Sequence, residues 1–62
     1  MKATIKHVNY YIDLVNEQLQ NQQIELYRAN GTNYIHDTQH RTVFSGTMTE
    51  VYYFLVGLEM VL

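Results

Sequence analysis

His36 and His40 stand four residues apart with Asp37 between them. On a helix that spacing presents two ligands to one metal ion. The surrounding sequence places both at a strand end and in a polar turn, and the only further histidine is His7. The motif alone therefore supports no metal site, and solvated turn histidines account for it. Asp13 and Glu17 lie one helical turn apart, but on the face that should see water, so they do not make the paired carboxylates of general acid–base catalysis. Ser45 is the single serine, beside Gly46, in what reads as a turn into the last helix. The three glycines are isolated at positions 31, 46 and 57, so no glycine-rich loop cradles a phosphate. No catalytic, metal or cofactor set emerges, and we read the chain as not an enzyme.

Tyrosine carries a clearer message. Tyr10, Tyr11, Tyr27, Tyr34, Tyr52 and Tyr53 are six in 62 residues, and tyrosine is enriched at protein interfaces because it offers large contact area with a polar tip. Tyr11 and Tyr52 are expected to edge the core. Tyr27 and Tyr34, which can neighbour each other across a hairpin, are the candidate partner-binding residues, together with Arg28 and Arg41. Stacking on tyrosine also serves single-stranded nucleic acid, but the cations are only Lys2, Lys6, Arg28 and Arg41, against six acids. A net charge of −2 is poorly suited to a phosphate backbone. Nucleic-acid binding is the alternative reading, not the leading one.

The elements that must position these residues follow from periodicity. Ile5, Val8, Ile12, Val15 and Leu19 form one helical stripe, with Thr4 as its N-cap. Lys2, Lys6 and His7 gather at that helix's start, against the preference of the helix dipole. Asn21-Gln22-Gln23 breaks the stripe. Residues 24–29 alternate apolar and polar, Asn30-Gly31 favours a type I′ hairpin turn, and residues 32–37 return. After the turn at 37–40, Arg41-Thr42-Val43-Phe44-Ser45 reads as a third strand.

The last sixteen residues, 47–62, are the most apolar part of the chain. Thr47 and Glu50 have the spacing of a capping box. Val51, Phe54, Leu55, Leu58, Val61 and Leu62 fall on one side of the resulting wheel, while Tyr53, Gly57 and Met60 fall on the other. The expected fold is α+β: two layers in the order helix, three-stranded antiparallel β-meander, helix, with both helices on one face of the sheet and a single domain over residues 1–62. Tyr53, Val56, Gly57 and Met60 are candidate self-association residues and suggest a homodimer. A helix running through Gly57 favours that reading, because the missing side chain admits a second backbone. A helix ending there would disfavour it.

So short a chain buries only about 60% of its unfolded surface, and it has no cysteine to staple itself. That absence fits a reducing compartment. No secretory leader is visible, and the final apolar run falls short of the roughly twenty residues that cross a bilayer. The reading is a cytoplasmic protein without a membrane role.

Two resemblances bear on this. The element order is that of the double-stranded RNA-binding domain, whose second helix begins with phosphate-gripping lysines. Here the matching positions read Thr47-Met48-Thr49-Glu50, so that activity is not implied. The run Phe44-Ser45-Gly46-Thr47-Met48-Thr49-Glu50-Val51-Tyr52-Tyr53-Phe54-Leu55-Val56-Gly57-Leu58, preceded by the Asn30-Gly31 hairpin, resembles small uncharacterised proteins of Gram-positive bacteriophages and prophages. The resemblance implies a phage- or prophage-encoded protein that works in the host cytoplasm. With the absent catalytic set and the abundant tyrosine, the expectation is a protein-binding module that inhibits or modulates a host or defence protein. The alternatives are a nucleic-acid-binding accessory protein and a purely structural homodimer.

Overall fold

The computed structural model describes residues 2–20 and 22–62. Asn21, part of the break read after the first helix, lies outside the described residues. The elements run α1 (Ile5–Gln18), β1 (Glu25–Ala29), β2 (Thr32–His36), β3 (Thr42–Gly46) and α2 (Met48–Val61), with the antiparallel strands in the order β1-β2-β3. This is the α+β meander between two helices that the periodicity implies.

Both helices start on side-chain caps. Thr47 Oγ1 accepts from the Glu50 N–H at 3.1 Å, and Glu50 Oε1 accepts from the Thr47 N–H at 2.8 Å. The Glu50 side chain lies over Gly46, where an added Cβ would meet Oε1 at 2.8 Å. In α1 the reciprocal partner is a histidine: His7 Nδ1 accepts from the Thr4 N–H at 3.2 Å. His7 at the helix start thus satisfies an orphan donor, which neutral imidazole can do and the neighbouring lysines cannot.

The core joins Val8, Ile12 and Val15 of α1 to Ile24, to Ile35 of β2, and to Val51 and Leu55 of α2. Leu26, Phe44, Phe54 and Leu58 pack around them, with the rings of Phe44 and Phe54 stacked at 4.5 Å. Both helices cover the same sheet face. Their starts lie together, the Ala3 N–H donating to Thr49 Oγ1 at 3.2 Å. Further along, Tyr11 meets Tyr52 edge to face at 5.4 Å. Tyr11 and Tyr52 sit at the core's margin, as expected of an amphipathic ring. Burial raises the Tyr11 phenol above its ordinary pKa, reinforced by Tyr52 and Glu59.

Several boundaries and faces differ from the sequence reading, each for a physical reason. Ile5 heads the α1 stripe but stays exposed, while Ala3 is buried in its stead against the start of α2. Ile24 precedes β1 because its backbone is bonded by the Asn16 side chain. Asp37 leaves β2 to organise the following turn. Val61 and Leu62, placed on the core side by the wheel, are exposed. Leu58 is the last α2 residue packed on the core, because so short a chain has no layer left to cover the final turn. Helix α2 runs unbroken through Gly57.

Candidate functional site

The turn between β1 and β2 sets the register of the uncovered sheet face. Asn30 and Gly31 take φ of 52° and 76°, the left-handed pair a type I′ turn requires. With that two-residue turn, Ala29 pairs with Thr32, Tyr27 with Tyr34, and Glu25 with His36. Alternation then sends Leu26 and Ile35 to the helices, and Tyr27, Tyr34, Glu25 and His36 to the other side. On β3 the pairing passes from Ile35–Phe44 to His36–Thr42, so Val43 is an extra, bulged residue. The bulge lets Ser45 and Thr42 both align with open-face residues of β2, opposite Tyr34 and His36.

Three rings touch on this face. Tyr27 stacks on His36 with centroids 5.0 Å apart and planes 18° from parallel. Tyr34 lies 6.1 Å from Tyr27 and 5.9 Å from His36. No helix covers them, and Tyr27 is half exposed. They form a continuous aromatic surface with phenolic and imidazole polar atoms along it.

The two candidate arginines do not join that surface. Arg28 pairs with Asn33, a buried residue of the helix-covered side, so alternation turns it away from the tyrosines. Arg41 sits in the β2–β3 turn, where its Nε donates to Asp37 Oδ2 at 3.0 Å. Asp37 also accepts at Oδ1 from the backbone N–H of Gln39 and of Arg41. The Arg41 N–H foremost, then the Gln39 N–H and the guanidinium, hold its carboxyl below the ordinary value despite partial desolvation.

That turn carries His40, whose Nδ1 lies 3.5 Å from Glu25 Oε1. A hollow of about 240 Å³ opens beside the pair, lined by Gln23, Ile24, Glu25, Asp37, Thr38 and His40. Asp13 and Glu17 are both exposed and border a wider, shallower depression with Asn16 and Gln23. Ser45 faces the open side of the sheet with no histidine hydrogen-bonded to it among the described residues. Tyr53, Gly57 and Met60 line the outer side of α2, with Val56 half-buried beside them. A Cβ at Gly57 would meet no atom within 4 Å.

No protein family, curated protein or solved structure matches this chain. Among the described residues no helix is long and apolar enough to cross a membrane.

Glu25 is the open-face residue that residue-type reasoning passed over. His36, read there as a solvated turn histidine spaced from His40, instead ends β2 opposite Glu25 and stacks on Tyr27. The signal for both lay in the Asn30-Gly31 turn: counting outward from a two-residue loop places Tyr27 opposite Tyr34 and then Glu25 opposite His36. His40 joins them through the conformation of a longer turn, which local spacing does not specify.

Proposed function

We propose that this chain is a small, non-catalytic protein-binding module whose partner docks on the open sheet face at Tyr27, Tyr34 and His36. The observation that carries the reading is the mutual contact of these three rings on a surface that neither helix covers. Pre-packed rings lose little conformational freedom on binding, which favours them as interface anchors. The net charge of −2 favours a partner surface that presents cations beside apolar groups. The resemblance of residues 44–58 to small phage proteins supports a phage or prophage origin and a host or defence protein as the target.

The test compares immobilised wild-type chain with the Tyr27→Ala/Tyr34→Ala variant in bacterial lysate, with circular dichroism confirming that both fold. A partner retained by wild type and lost by the variant is the expected result. Retention indifferent to the two tyrosines removes this reading. Capture of nucleic acid that weakens steeply with salt replaces it with the nucleic-acid alternative.

A second reading, self-association through α2, rests on a separate observation. Tyr53, Val56, Gly57 and Met60 follow helical spacing on the outer side, and Tyr53 is 56% and Met60 77% exposed. Large apolar side chains left exposed together on one helix face are a common mark of an interaction surface. The open space over Gly57 admits a close helix–helix approach.

A further inference from the structure

The same corner of the sheet holds a set of donors that its tyrosines do not explain. Glu25 comes from the start of β1, His36 from the end of β2, and His40 from the turn that follows. One ligand atom of each lies within 4.8 Å of those of the other two. Three separate segments thus converge two imidazoles and a carboxylate on one point. We propose that Glu25, His36 and His40 form a binding site for a divalent first-row transition-metal ion of the zinc type.

The chemistry of the donors selects the class. Imidazole nitrogen suits zinc, copper and nickel, whereas magnesium and calcium prefer oxygen donors. Zinc bonds of about 2.0–2.2 Å to nitrogen and oxygen place tetrahedral ligands roughly 3.4 Å apart. His40 Nδ1 and Glu25 Oε1 already stand at 3.5 Å. The widest separation in the set therefore closes by at most about 1.5 Å on metal binding. His40 and Glu25 have the freedom to make that movement, their side chains being 80% and 59% exposed.

The backbone around the site is braced. His40 is held at φ 61°, a left-handed conformation that persists in a non-glycine residue only where its surroundings enforce it. Here the His40 N–H donates to Asp37 O at 3.0 Å, and Asp37 Oδ1 accepts from the N–H groups on either side, those of Gln39 and Arg41. The imidazole of His36 is braced by its stack on Tyr27. Three protein ligands leave a coordination position open, and the hollow beside Glu25 and His40 has room for water or a small ligand there. The proposal does not depend on the partner-binding role of the tyrosines.

The experiment is calorimetric titration of Zn²⁺ into the full chain and into His36→Ala, His40→Ala, Glu25→Gln and His7→Ala variants, each checked by circular dichroism. One ion per chain is expected for wild type and His7→Ala, with at least ~10-fold weaker binding in each variant of the set, since even supporting residues of metal sites are worth that much. His40→Ala, on an exposed turn, keeps the test decisive if His36→Ala disturbs the sheet. Absence of saturable heat at Zn²⁺ well above the protein concentration overturns the proposal. So does unchanged affinity in His40→Ala, or Mg²⁺ binding as tightly as Zn²⁺.

Discussion

The Asn16 side chain hydrogen-bonds both backbone groups of Ile24, its Nδ2 donating to the carbonyl at 2.9 Å and its Oδ1 accepting from the N–H at 2.8 Å. An amide side chain on α1 thereby does for Ile24 what a neighbouring strand would otherwise do. It also fixes where the chain enters the sheet and seats the buried Ile24 side chain in the core. Removing it leaves two backbone groups unpaired in a partly buried place. Asn16→Ala is expected to destabilise the fold by about 1–3 kcal/mol, measured as a fall in the urea midpoint at unchanged slope. A loss within error of zero would mean that water replaces both bonds.

The exposure of the α2 apolar residues predicts a sharp contrast along one helix. Leu55 is fully buried whereas Val61 is 81% exposed. Leu55→Ala is expected to cost about 2–5 kcal/mol through lost burial and the cavity left behind, a large part of the 5–15 kcal/mol typical of folded domains. Val61→Ala should stay within about 0.5 kcal/mol, as surface changes do. Thermal or urea unfolding of both variants checks the pair, and equal losses would show that the last turn is covered in solution.

Acid should act through Asp37. Its folded-state pKa lies below the ordinary 3.8 because the Arg41 N–H, the Gln39 N–H and the Arg41 guanidinium all favour the carboxylate. The folded chain therefore binds fewer protons at this site than the unfolded chain in mild acid. The stability it contributes is full above pH 3.8 and is lost as pH falls through the depressed value. Urea unfolding across that range should show wild type more stable than Asp37→Asn at neutral pH, with the gap narrowing in acid. A gap that is constant with pH would falsify this role.

Self-association has its own readout. Sedimentation at tens of micromolar is expected to show a dimer for wild type, and a shift towards monomer for Tyr53→Ser/Met60→Ser. These positions are exposed in the single chain, so the substitutions should leave its fold intact. A wild-type monomer under the same conditions ends that reading and leaves α2 a solvent-facing helix.

The parts of this fold that could be read in advance are those encoded within a few residues of one another. Thr47 and Glu50 carry both halves of a cap. Asn30-Gly31 carries its own left-handed turn, and Val8, Ile12 and Val15 lie on one face of α1 simply by helical period. Gly57 leaves α2 continuous because an exposed helical glycine costs only about 1 kcal/mol in propensity. Where the wheel misjudged Val61 and Leu62, the period was right. What it lacked was knowledge of how far the other layer reached.

Sequence alone determined the order of the elements, the hairpin between Tyr27 and Tyr34, and the poverty of charge and cysteine that narrows the possible functions. Each of these is local or compositional, set by backbone preference and side-chain type. Only the tertiary structure decided that Asn16 holds Ile24, that Val43 bulges so that Thr42 and Ser45 face the open side, and that Arg28 and Arg41 stand apart from the tyrosines. It alone brought His40 back to Glu25 and His36, fifteen and four residues away. Such relationships depend on strand register and turn conformation, which the packing of the whole chain selects and no single segment contains.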